Sequence, residues 1–340
     1  MSILKNNIGW CDVTMNPGIG CRGCELERNG TCYAMNDTPA RVLRAGKWPG
    51  YIGQKVETFG PGRTFVPTKE GLAKLRRYND WRICDRCRCL EHIGSNDCRR
   101  CAAATLRNIR CFADSNSDWM DWPTEILAAS LDEIRKAPNV TVILLTKWPE
   151  LWRERIDSVI AEWAHQEAGD GPYSEEGLAR EQWAVDWLNG SPPSNVWVLT
   201  SVLGNQLDEK RLTNLLKIPA VVHGLSLEPL LGGVDFTGPR LEWLAPFKDT
   251  DANLNRTPRI DWVIVGCDSS VKRLGWEFYE VNAAALIEQF QSAGVRTYHK
   301  QMPIKGAVSA NPAEWPEDLR VQEFPEMSHA KGAEDAKEQT

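Results

Sequence analysis

Cysteine is the residue whose spacing in this chain says most about chemistry. Eleven cysteines stand at positions 11, 21, 24, 32, 84, 87, 89, 98, 101, 111 and 267. Cys21, Cys24 and Cys32 share a glycine-containing stretch, NPGIGCRGCELERNGTCYAM, directly after an apolar run. Three thiolates on such a loop can hold three irons of a [4Fe-4S] cluster and leave the fourth iron open to a ligand. A closed structural zinc site needs four ligands. Cys11 is the candidate fourth, so spacing alone leaves both metals open.

The second group has a sharper signature. Cys84-x2-Cys87 and Cys98-x2-Cys101 are two thiolate knuckles separated by ten residues, the arrangement of a four-thiolate Zn2+ site. Tetrahedral sulfur also suits an auxiliary iron-sulfur cluster. Cys89 is a spare or alternate ligand. Arginines crowd these ligands, and from Lys69 to Arg110 eleven Lys and Arg face five Asp and Glu, a local +6 in a chain of net charge −6. Guanidinium groups make bidentate contacts with phosphate, which marks Arg86, Arg88, Arg99 and Arg100 as candidate nucleic-acid contacts. The competing reading is that they solvate a small metal module with little core of its own.

These groups need a scaffold to position them. The chain has 340 residues, 42% hydrophobic and 25% charged, ordinary globular proportions that exclude a wholly disordered or collagen-like protein. Its acidic balance argues against a uniformly basic nucleic-acid binder. No run of eighteen apolar residues occurs, and the N-terminus lacks the apolar core of a signal peptide. The expectation is a cytoplasmic protein with no membrane partner, where reducing conditions favour metal over disulfides.

Seven apolar or β-branched runs predict strands, starting at Trp10, Ile109, Val140, Asn195, Ala220, Asp261 and Val295. Helix-like segments such as PTEILAASLDEIRKA, PELWRERIDSVIAEWA, QLDEKRLTNLLK and EVNAAALIEQFQSAG alternate with them. Strand, helix, strand in repeated order predicts an α/β fold, a partial or complete parallel (β/α) barrel. The predicted organisation is a first strand and cysteine loop over 1–36, a basic cysteine-rich insertion over 37–107, the rest of the barrel over 108–302, and an acidic extension over 303–340. The extension reads as frayed over its last thirty residues. Further insertions are expected at 165–190 and 237–259.

In a parallel barrel the chemistry gathers where strands end. Here those ends are polar: Asp114-Ser115-Asn116-Ser117, Thr146-Lys147, Ser201, Ser226-Leu227-Glu228, Gly266-Cys267-Asp268 and His299-Lys300-Gln301. Any single set is explained by turns and caps. Six converging sets predict a pocket.

The same residues carry a resemblance. Asn16-Pro17, Gly20-Cys21 and Cys32-Tyr33-Ala34, then Asn116-Ser117-Asp118, Leu145-Thr146-Lys147, Asn195-Val196-Trp197, Ser226-Leu227-Glu228-Pro229, Asp261 to Gly266 and Lys300-Gln301 resemble, in order, a phage and bacterial family of three-cysteine, radical-SAM-like proteins. The likeness covers most of the barrel and neither the 37–107 insertion nor the tail. Two departures stand out: C-x-x-C precedes the longer spacer, and Cys267 stands where the family usually has a second glycine.

The resemblance implies a barrel of radical SAM type and a [4Fe-4S] cluster on Cys21, Cys24 and Cys32. S-adenosylmethionine would chelate the open iron and be cleaved to a 5′-deoxyadenosyl radical. Asp114, Ser115, Asn116 and Ser117 are expected at the SAM amino group, and Ser201, Glu228 and Asp268 at the ribose or substrate. Lys147 and Gly266 are also expected at the cofactor, and Cys267 as a thiol that relays hydrogen. Phage relatives of this kind imply modified DNA or a nucleotide as substrate, with isomerisation of a glycyl-type thymidine as the specific expectation. The reductant would be a flavodoxin or ferredoxin, and the location the host cytoplasm if the chain is phage-encoded. The alternative from another class is a non-catalytic nucleic-acid-binding protein with two structural zinc sites.

Overall fold

The computed structural model describes residues 8–19, 21, 65–68, 71–103, 105–168, 173–202, 209–244, 259–270 and 272–325. In chain order the elements are β1 (Val13–Thr14), β2 (Gly18–Ile19), β3 (Val66–Pro67), α1 (Leu75–Tyr78), β4 (Trp81–Cys84), β5 (Leu90–His92) and β6 (Leu106–Phe112). There follow α2 (Thr124–Arg135), β7 (Val140–Thr146), α3 (Trp152–Glu167), α4 (Glu175–Leu188), β8 (Val196–Ser201), α5 (Glu209–Leu216) and β9 (Val222–Leu227). The last are β10 (Trp262–Gly266), α6 (Tyr279–Ser292), β11 (Arg296–Ile304) and β12 (Ala307–Ser309).

Strands β1, β6, β7, β8, β9, β10 and β11 lie side by side in that order, each parallel to the next. This is the arrangement expected when each strand is followed by a crossover that packs back on the sheet. The ten-stranded sheet is curled into a half-barrel. Antiparallel β12 closes one edge, and the β4–β5 hairpin pairs with the start of β6 at the other. The predicted cysteine-rich insertion therefore extends the sheet.

Alternation along the strands sorts side chains onto two faces. Val142, Leu144, Val198, Leu225, Leu227, Val263 and Val265 pack on helix residues such as Leu131, Ile156, Val159, Leu212, Leu286 and Phe290. Phe112, Ile143, Trp197, Leu199, Trp262, Ile264 and Tyr298 fill the concave face together with Trp10. The polar residues at the strand ends stand above this apolar floor.

The expected insertion at 165–190 holds α4, a second helix between β7 and β8, whose Trp187 is fully buried against Trp119, Trp152 and Trp183. One expectation needs correction. The tail is not frayed over 311–325. Trp315 and Leu319 are buried, and 321–323 returns along β11, with the His299 and Glu323 amides donating to Val321 O and Thr297 O. Phe324 then joins the concave cluster. Three apolar anchors fix a segment whose average composition is acidic. Residues 326–340 lie outside the described residues.

Candidate functional site

The β4–β5 hairpin and the turn after it gather Cys84, Cys87, Cys98 and Cys101, whose sulfurs all lie within 4.8 Å of one another. Cys84 and Cys101 Sγ are 3.5 Å apart, and Cys87 and Cys98 Sγ 3.4 Å. A tetrahedral zinc with ordinary Zn–S bonds separates its sulfurs by about 3.8 Å, so the four are placed to hold a metal ion.

The two knuckles repeat one another. The Arg88 amide donates to Cys84 O and the Cys84 amide to Cys89 O; likewise Ala102 donates to Cys98 O and Cys98 to Ala103 O. Arg88 and Ala102, each following the second cysteine of its pair, have φ of 58° and 53°, a left-handed conformation that non-glycine residues adopt at a cost. This repetition equates Cys89 with Ala103. Cys89 is thus the packing residue of its knuckle, and it accepts from Arg100 Nη1 at 3.4 Å.

Backbone amides aim at the sulfurs, as thiolate ligands require. Burial opposes ionisation of Cys84, but the amides of Cys87 and Arg86 and the neighbouring thiols bring it down to about 7. At Cys87 the Cys89 amide favours the thiolate, yet burial and the three other thiols push its pKa up. Four sulfurs this close cannot all carry charge without a cation among them, which is the chemistry of a metal-ligand set.

Three arginines of the module bind buried carboxylates. Arg99 holds the fully buried Glu91 through its backbone amide at 3.0 Å and Nε at 2.8 Å. Arg88 Nη2 reaches Asp12 on the approach to β1 at 2.7 Å. Arg107 binds the same carboxylate through Nη1 at 2.6 Å and Nη2 at 3.0 Å. Arg86 is exposed.

At the mouth, the loop after β1 is tied to the loop after β6. Asn16 Nδ2 donates to Ser115 Oγ at 2.9 Å, while Asn16 Oδ1 accepts from Ser115 Oγ and from the Asn116 amide. Cys21 follows on the same loop, half-buried. Cys24 and Cys32 lie outside the described residues.

Other expected site residues are bound within the protein, to their own loop or to the end of the neighbouring strand. Asp114 accepts from the Leu145 amide; burial and then the charge of Asp118 raise its pKa well above the ordinary carboxyl range. Asp118 accepts from Thr146 Oγ1 and the amides of Met120 and Lys147, which places Lys147 beside it. Ser117 Oγ accepts from Trp122 Nε1 at 2.8 Å. Asp268 binds the Ser270 hydroxyl and amide and the Leu274 amide. Cys267 packs in the helix-side core, 3% exposed, where burial and then Asp268 push its thiol up to about 12. That placement is away from the concave face.

Ser201, Ser226 and Glu228 continue the concave side of β8 and β9. Glu228 Oε1 lies 2.9 Å from Lys300 Nζ. This is an ion pair by distance, while the same oxygen is buried with no formed hydrogen bond. A Cβ on Gly266 would stand 2.7 Å from it, so glycine there leaves room for Glu228. Asp12, Asn16 and Lys300 are the residues whose roles the sequence did not assign. A carboxylate inside an otherwise apolar strand was the available signal for Asp12.

A family model described as a protein of unknown function (DUF5131) matches residues 5–326. The chain belongs to that family. The matched span includes the half-barrel, the four-cysteine module and the packed part of the tail. Comparison with curated proteins and with solved structures gives no match. Among the described residues no helix is long and apolar enough to cross a membrane.

Proposed function

We propose that this DUF5131 chain is a radical SAM enzyme with a structural zinc module, acting on a modified nucleobase. The observation that supports the reading is the placement of the Cys21 loop. It leaves β1 at the end where the parallel strands of the half-barrel finish, tied by Asn16 to Ser115 and Asn116.

Cys21, Cys24 and Cys32 would hold a [4Fe-4S] cluster, which would supply the electron for reductive cleavage of S-adenosylmethionine. The protein's own part is positioning and exclusion of water. Asn16 holds the loop against the β6 end. Ser201 and Glu228 offer acceptors to the amine and hydroxyls of a ligand, and Lys300 balances the Glu228 charge. Trp10, Phe112, Trp197 and Trp262 form a dry floor beneath. Isomerisation of a glycyl-type thymidine, in DNA or as a nucleotide, is the specific reaction proposed, with a flavodoxin or ferredoxin as reductant.

The test is metal analysis of protein purified without oxygen. Iron and sulfide together with one zinc are expected. A colourless protein with two zincs would favour the non-catalytic nucleic-acid binder instead.

A further inference from the structure

We infer that the four-cysteine metal centre clamps the first barrel strand through Arg88 and Arg107 on Asp12, and so sets the loop that carries Cys21. The part concerning that loop rests on the function proposed above. The clamp itself rests on geometry alone.

Between Trp10 in the concave core and the Asn16 bonds, β1 has only a short ladder. It pairs with β6 at two positions, Val13 to Cys111 and Thr14 to Phe112, extended by the Asp12 amide to Arg110 O and the Met15 amide to Phe112 O. So short a strand is marginal by itself. Asp12 immediately precedes it and is 1% exposed. Its two oxygens take four donors: Arg88 Nη2 and Arg107 Nη2 on Oδ1, Arg107 Nη1 and the Arg110 amide on Oδ2. A buried carboxylate stripped of such partners is strongly unfavourable, so strand and guanidinium groups stand or fall together.

Arg88 stands on the knuckle, and Arg107, on β6, is held by it through Asp85. Arg88 is the left-handed residue directly after Cys87, held there by a turn that closes when Cys84 and Cys87 share a metal. Arg107 pairs in register with Ile83 of β4, and its Nε binds Asp85, which lies between those two cysteines. Loss of the metal frees the turn and withdraws Arg88 from Asp12 and Asp85 from Arg107. The β6 edge then keeps Arg107 and the Arg110 amide on Asp12 but loses Arg88, and Arg107 loses the Asp85 contact that holds its Nε.

Hydrogen exchange on the full chain tests this, with zinc content measured on each sample. Removing zinc with a chelator under reducing conditions should speed exchange of the 10–15 amides at least tenfold, while β7, β8 and β9 keep their protection. Arg88→Ala should do the same with one zinc still bound, and Arg86→Ala, in the same knuckle, should change nothing. The clamp is overturned if zinc removal deprotects 84–103 and leaves 10–15 unchanged, or if zinc-loaded Arg88→Ala retains full protection there. A chain that binds no metal would instead overturn the four-thiolate reading, and the metal's control of β1 with it.

Discussion

Asn16 and Ser115 exchange two hydrogen bonds across the mouth of the half-barrel, Nδ2 to Oγ at 2.9 Å and Oγ to Oδ1 at 3.1 Å. The Asn116 amide adds a third bond to the same side chain. One amide thereby joins the ends of the first two parallel strands. Asn16→Ala removes all three bonds, and at ~1 kcal/mol for each such bond the variant should lose about 1–3 kcal/mol in chemical denaturation. An unchanged midpoint would show that the loops hold together without it.

Cys89 and Ala103 occupy equivalent places in the two knuckles. Cys89→Ala should therefore keep a full complement of zinc, whereas alanine at Cys84, Cys87, Cys98 or Cys101 should abolish stoichiometric binding. Zinc measured per chain in each variant decides it. Loss of metal from Cys89→Ala would make Cys89 a ligand and break the repetition.

Two buried aspartates should respond to pH with opposite signs. At Asp12 burial opposes ionisation, but the hydrogen bond and charge of Arg107, the Arg110 amide and the charge of Arg88 outweigh it and hold the pKa below 3.8. Its contribution is present above that ordinary value and is lost as pH falls through the lower folded one. Asp12→Asn should cost about 3–5 kcal/mol at pH 7, with the difference shrinking in strong acid. Asp114 is raised, by burial first and then by Asp118. The wild-type chain therefore loses stability as pH rises above the ordinary carboxyl range, and Asp114→Asn should gain relative to it in that direction. Parallel pH profiles for the two variants would contradict both assignments.

Gly266→Ala is expected to act on the site with little effect on the core. The new methyl would meet Glu228 Oε1 at 2.7 Å, and a flexible carboxylate can move aside, away from Lys300. Thermal stability should stay close to wild type while affinity for S-adenosylmethionine falls by about tenfold, roughly 1.4 kcal/mol. Unchanged affinity, measured by calorimetry, would remove Glu228 from the binding site.

The central parallel strands were legible because they are apolar runs buried on both faces, as Val140–Thr146 and Val196–Ser201 are. The knuckles were legible because ligand spacing is local. What escaped was long-range: Asp12 meets arginines that lie 76 and 95 residues away. No local pattern records such a pairing. The pairing of Arg88 and Arg99 with buried carboxylates escaped as well, since a guanidinium looks alike in sequence whether it faces phosphate or a buried carboxylate. At the mouth, five of the six polar sets end or follow a strand while His299-Lys300-Gln301 lies within β11, and composition could not separate Asp114 and Asp268, whose carboxylates take backbone amides, from Glu228, which keeps an oxygen without a hydrogen bond.

The most direct test of the proposed chemistry is reductive cleavage of S-adenosylmethionine by protein reconstituted with iron and sulfide without oxygen. Wild-type chain should form 5′-deoxyadenosine, and alanine at Cys21, Cys24 or Cys32 singly should abolish it while zinc at the other cysteines stays bound. If the reconstituted wild type takes up no iron, or takes up iron and forms no 5′-deoxyadenosine, the radical SAM reading is contradicted.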